Sequence, residues 1–155
     1  MQKGFTLVEL LLVMAVIGIL ASVLIVNLPN VIDQAKDARI IAALGQTRPI
    51  MVQIYTSDGN YDDFKCVGSA NSDIIRICAD VKKNNKEEVE PIIAYDPSGD
   101  KSIKTCIYSK LNSKKGTSDQ YYCVDSDGNV GKIAANPNTD CVDGAGKGKC
   151  PTELY

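Results

Sequence analysis

Apolar residues follow two different patterns along the chain. Residues 10–32 carry no charge, and 10–26 are almost wholly aliphatic. Wound as a helix, this stretch places aliphatic side chains on every face, which suits lipid or a helix bundle better than a globular surface. At about 1.5 Å per residue it extends ~34 Å, enough to cross a hydrocarbon core of ~30 Å. Gly18 and Ser22, four apart, would let a second helix approach closely; two small residues in an ordinary membrane helix is the simpler reading. Pro29 interrupts the helix, because it lacks a backbone donor and crowds the preceding turn. After it the pattern becomes amphipathic. Val31, Ile32, Ala35, Ala38, Ile41, Ala42 and Leu44 form an apolar stripe, with Asp33, Lys36, Asp37 and Arg39 at the polar positions. Pro49, four residues after Gly45, predicts a kink or break, and the helix resumes through Ile54 and Tyr55 before a stop at Gly59.

Beyond Tyr61 the chain reads as short strands and turns. Residues 92–95 form a strand closed by Asp96-Pro97-Ser98-Gly99, a strong turn. Residues 101–111 and 120–125 form the clearest strand pair, separated by the polar stretch 112–119. Asp127-Gly128 turns the chain into a short strand at 130–134. Such an antiparallel meander is marginal alone but viable against a helix. Residues 82–90 are rich in charge and read as a solvated loop or short helix. The fold class is therefore α+β: a long, kinked, membrane-spanning N-terminal helix packed on a small antiparallel sheet that disulfides staple.

Composition narrows the chemistry. Seventeen basic and nineteen acidic residues give a net charge of -2, so no global affinity for polyanions follows. The absence of His excludes His-based acid–base catalysis, Ser-His-Asp triads, Cys-His nucleophiles and HExxH zinc sites. The remaining nucleophile schemes find no local motif, and no enzyme and no cofactor is expected. Six Cys without a C-x-x-C pair indicate a disulfide-stapled domain on the oxidising side of a membrane, with free buried thiols as the alternative. Their number does not fix the pairing. Nearest neighbours are favoured: Cys66–Cys78, Cys106–Cys123 on adjacent strands, and Cys141–Cys150 around the tail segment Asp143-Gly144-Ala145-Gly146.

The residue that a plain membrane anchor leaves unexplained is Glu9, at the start of the aliphatic run. A carboxylate carried to mid-bilayer costs roughly 2.5–3.5 kcal/mol on insertion scales, so it needs a purpose or a place near the interface. Lys3 and Gly4-Phe5-Thr6-Leu7-Val8-Glu9-Leu10, followed by the aliphatic run, resemble the class III leader of type IV pilins and type II secretion pseudopilins. The resemblance implies a leader at 1–4 that a prepilin peptidase removes by cutting after Gly4. It implies N-methylation of Phe5, and Glu9 as the acid of subunit assembly. It implies a polymerisation helix at 5–32, an amphipathic helix at 33–57 packed on the head, and a disulfide-rich head at 58–155. The partners implied are identical subunits in a helical filament, the peptidase, an inner-membrane assembly platform, and the membrane itself before assembly. The mature protein would lie in a cell-surface filament.

Physical chemistry gives Glu9 the same role. Cleavage creates an α-ammonium on Phe5, and a carboxylate drawn into a helix bundle is tolerable when an opposite charge accompanies it. That ammonium belongs either to a neighbouring subunit or to the same chain, since residues four apart meet on a helix.

Two weaker signals lie in the head. Asp125, Asp127 and Asn129 alternate like the opening of a calcium loop, and Asp140 or Asp143 would complete it. Val130 and Asn136 break the EF-hand pattern, and a hairpin turn is the favoured reading. Lys101, Lys104, Lys110, Lys114 and Lys115 form a basic run that would attract DNA or serve as a solvated hairpin face, with the second favoured. Three functions follow: a structural pilus subunit first, with a type II secretion pseudopilin or a minor, competence-type pilin binding DNA or a surface as alternatives.

Overall fold

A computed structural model describes residues 4–96, 102–133, 141 and 150, apart from the side chains of 23–27. The chain divides into two units, Met1–Asp33 and Gln34–Tyr155. Helix α1 spans Leu7–Gly45, α2 Thr47–Asp58 and α3 Ser72–Asn84, followed by strands β1 (Ile92–Tyr95), β2 (Thr105–Lys115), β3 (Ser118–Asp125) and β4 (Val130–Ile133).

In the first unit, the described side chains of α1 up to Ser22 are all exposed, as the absence of a polar face anticipates. Pro29 lies inside α1 and does not interrupt it. One missing donor is a small loss in a 39-residue helix whose other turns keep their ladder. Among the described residues no helix is long and apolar enough to cross a membrane.

In the second unit the helix breaks at Gln46, between Gly45 and Pro49. Pro49 occupies the first turn of α2, where a backbone donor is not needed. Thr47 donates its hydroxyl to the Leu44 carbonyl at 2.6 Å, spanning the break. Gly59 closes α2 at φ 70°, a left-handed value that suits glycine, and its N–H reaches the Tyr55 carbonyl.

The buried face of α1 differs from the expected stripe. Ile40, Ala43 and Leu44 are buried together with Asp37, whereas Val31, Ile32, Ala35, Ala38 and Ala42 are exposed. The face turns toward Asp37 because its carboxylate satisfies two backbone amides of β2, those of Asn112 and Ser113.

Helix α3 replaces the short strands and turns expected there. Asn71 caps it by accepting from the Asp73 N–H at 2.9 Å. Ile74, Ile77, Cys78 and Val81 then follow at helical spacing, and all are buried. Cys78 is bonded to Cys66 in the preceding loop.

The four strands form an antiparallel meander in the order β1-β2-β3-β4. The hairpin β2–β3 is longer than expected: Lys115 pairs with Ser118 across Gly116-Thr117, and the register shifts between Lys110 and Lys114. The residues read as a polar loop are therefore mostly strand, joined by a two-residue turn with Gly116 at φ 65°. The turn expected at Asp96–Gly99 lies largely outside the described residues.

One face of the sheet contributes Ile107, Leu111 and Val124 to a core shared with α1, α2 and α3. The opposite face carries Cys106, Tyr108 and Cys123, packed with Cys141 and Cys150. The last two bridges differ from nearest-neighbour pairing: Cys106 joins Cys141 and Cys123 joins Cys150. Register explains the correction. Cys106 lies opposite Asp125, and Cys123 opposite Tyr108, so the two cysteines are diagonal neighbours on one face. Diagonal positions are about 7–8 Å apart, beyond the usual reach of a disulfide. Each cysteine bonds instead to one in the C-terminal segment, fastening it to the sheet at two points. The tail segment 143–146 itself lies outside the described residues.

Candidate processing and assembly site

Four residues build the N-terminal site. The Thr6 carbonyl accepts the Leu10 N–H at 3.3 Å, which makes Thr6 the N-cap of α1. Its N–H and hydroxyl both donate to Glu9 Oε2, at 2.9 and 2.7 Å, and the Glu9 N–H returns a bond to Thr6 Oγ1 at 3.3 Å. This is a reciprocal capping box, T-x-x-E, visible in the sequence but not read from it. The cap ties residues 6 and 9 together and leaves Gly4 and Phe5 outside the helix, with Phe5 86% exposed. The Gly4–Phe5 peptide bond therefore lies outside the helix, between two exposed residues. Lys3 lies outside the described residues.

Residues 1–25 match the family described as the prokaryotic N-terminal methylation motif. The chain is similar to type IV pilins. It is 32% identical over 91 residues to a type IV major fimbrial protein of Dichelobacter nodosus, a match covering 59% of this chain and 58% of the relative. It is also 45% identical over 58 residues to the type IV wide pilus major component of Thermus thermophilus, covering 37% of this chain and 44% of that one. The chain thus aligns with about half the length of these relatives, and no solved structure matches it.

The other candidate sites, in the second unit, are occupied by its own contacts. Asp125 is buried, and its carboxylate accepts the Asn129 N–H at 2.7 Å, the Asn129 side-chain amide at 2.8 Å and the Cys150 N–H at 2.9 Å. These donors use the oxygens that a cation would need, so Asp125 serves as the latch of the β3–β4 turn and of the C-terminal segment. Asp127 faces Lys104 at 3.4 Å instead. Asp140 and Asp143 lie outside the described residues.

The basic run is similarly neutralised. Lys110 contacts Glu87 at 2.6 Å and Asp119 at 3.0 Å, and Lys114 reaches the same Asp119 at 3.4 Å. The hydrogen bond it donates to Glu87, followed by that to Asp119, holds the Lys110 ammonium well above its ordinary pKa. Lys101 lies outside the described residues. A basic patch laced with carboxylates attracts phosphates weakly.

Proposed function

We propose that the protein is the structural subunit of a type IV pilus-like filament. It is inserted in the membrane as a precursor, cut after Gly4 by a prepilin peptidase, methylated on Phe5, and polymerised through α1 into a cell-surface fibre by an inner-membrane assembly platform. The observation that carries this reading is the matched 1–25 segment, whose described apolar side chains up to Ala21 on α1 are all exposed. Leu7, Met14 and Ile19 are 66–74% exposed, a state that water disfavours and that lipid or sister helices relieve. Membrane insertion before assembly is supported by the uncharged stretch 10–32, which as a helix extends ~34 Å.

Similarity to major fimbrial and wide-pilus components favours a major subunit over a pseudopilin. The acid-paired lysines weigh against the DNA-binding alternative. Antibodies raised against the head test the reading on sheared filaments from native cells. Decoration along the fibres is expected; protein confined to the membrane fraction would overturn it.

A further inference from the structure

Resting on the filament reading above, we infer that a cleft among the three helices of the second unit receives the turn after α3 of a second copy of this chain. The cleft has a volume of about 720 Å³, and Ala42, Ile50 and Ile77 give it an apolar lining. Its charges are settled except at one place. Asp73 pairs with Arg76 at 3.6 Å, and Asp80 accepts the Asn84 side-chain amide at 3.1 Å. Arg39 is exposed, and among the described residues its guanidinium makes no hydrogen bond or ion pair.

The turn at 85–90 carries the complementary groups. Glu87 is taken by Lys110 at 2.6 Å and Glu90 by Lys82 at 3.1 Å. Glu88, between them, is exposed, and among the described residues its carboxylate has no partner. Beside it Val89 is 48% exposed. Glu88 sits at φ 52°, a left-handed value that residues other than glycine disfavour. Buried Asn85 holds the turn in that shape. Its carbonyl accepts the Glu88 N–H at 3.1 Å and its side-chain oxygen the Glu87 N–H at 2.8 Å, while its side-chain amide donates to the Lys110 carbonyl at 3.1 Å. The turn therefore presents an acid and an apolar side chain on a backbone already ordered, which lowers the cost of docking.

Position decides the occupant. The sheet face with Ile107, Leu111 and Val124 packs on the helices. Lys110, which anchors the turn, lies on the opposite face with Tyr108 and Tyr121. Cleft and turn thus lie on opposite sides of one sheet, and the turn cannot fill the cleft of its own chain. A second copy can fill it, with Val89 against the apolar lining and Glu88 at Arg39. A cleft on one side and its match on the other make a heterologous contact, which repeats into an open fibre.

The test uses the full chain, expressed in its host with its assembly machinery, and reads sheared filament per folded subunit. Arg39→Glu and Glu88→Arg are each expected to lower that yield roughly tenfold, because like charges then meet. Arg39→Glu combined with Glu88→Arg restores the pair and is expected to recover most of the loss. Carbodiimide joins an amine to a carboxylate in contact with it. On Arg39→Lys filaments it is expected to link position 39 of one copy to Glu88 of another. Wild-type yield from both single variants, losses that multiply in the double variant, or no link between position 39 and Glu88 of another copy would each overturn the docking and leave the filament reading in place. Links from position 39 only to other acids would give the cleft to a different segment and overturn it equally. Absence of the wild-type protein from filaments would overturn the filament reading, and this inference with it.

Discussion

Asp37 on α1 accepts the backbone N–H of Asn112 on β2 at 2.6 Å, and that of Ser113 at 2.9 Å from its other oxygen. Both amides lie where β2 and β3 lose register, between Lys110 and Lys114. A bulge leaves strand donors without a ladder partner, and buried donors left unpaired are costly. A helix carboxylate supplies the acceptors. Asn112 extends the junction by donating its side-chain amide to the Asn84 carbonyl at the end of α3 and accepting the Lys86 N–H. One acid thus holds α1, the bulge and the α3 exit in a fixed relation.

Replacing Asp37 by Ala strands two amides and should destabilise the head by on the order of 3 kcal/mol. Asp37→Asn, which retains one acceptor oxygen, should cost about half as much. Denaturant unfolding of the detergent-solubilised chain, followed by tyrosine near-UV dichroism, measures both. Equal stability of Asp37→Ala and wild type would remove Asp37 from its place at the bulge.

The bridges Cys106–Cys141 and Cys123–Cys150 can be read directly by peptide mapping of the unreduced protein. Recovery of a Cys106–Cys123 peptide would contradict the register described for β2 and β3. Removing Cys123 and Cys150 together should lower stability by roughly 2–4 kcal/mol, since their bond closes a loop of 27 residues in the unfolded chain.

Two groups give the head opposite pH limits. Burial acts to raise the Asp63 pKa, but the Ala70 amide, the Ser69 hydroxyl, the Asn71 amide and Lys65 outweigh it, and the net value falls below the ordinary 3.8. Its contribution is therefore present above ~pH 4 and is lost as the pH falls through the folded-state value. Asp63→Asn should flatten the acid limb of the stability profile. Burial of the Tyr95 phenol, with Asp62 and Asp63 nearby, pushes its pKa from 10.0 to about 12. That contribution is complete below pH 10 and disappears between pH 10 and about 12. Tyr95→Phe should soften the alkaline limb and, by losing the 2.5 Å bond to the Phe64 carbonyl, cost ~1 kcal/mol at neutral pH. Thermal melts across pH check both, and an unchanged limb in either variant refutes its assignment.

Glu9→Ala should leave membrane insertion intact and reduce filament assembly, because removing a carboxylate from an aliphatic run favours the bilayer. Membrane fractionation and shearing, carried out on the same cells, separate the two effects. Wild-type filament yield from this variant would sink the assembly role of Glu9.

How much of this was legible in the sequence depended on the range of each interaction. The helix break near Pro49 and the stop at Gly59 are local events with local signals, and both appear where their residues place them. The capping box of Thr6 and Glu9 was equally local but lay beneath the more conspicuous motif around it. Helix α3 also had its signals: Asn71 as a cap and Ile74, Ile77, Cys78 and Val81 at helical spacing. The neighbouring charges and the expectation of strands concealed them. The disulfide pairing was not legible, because whether Cys106 faces Cys123 or lies diagonal to it depends on strand register. Nor was the burial of Asp37, whose polarity assigned it to solvent until a distant bulge required an acceptor.

The intact mass of this protein in purified filaments tests cleavage, methylation and bridging together. The expected species begins at Phe5, carries one added methyl group and lacks six hydrogens through its three disulfides. A filament-borne mass that still includes residues 1–4, or filaments without this chain, would contradict a pilin that is processed and polymerised.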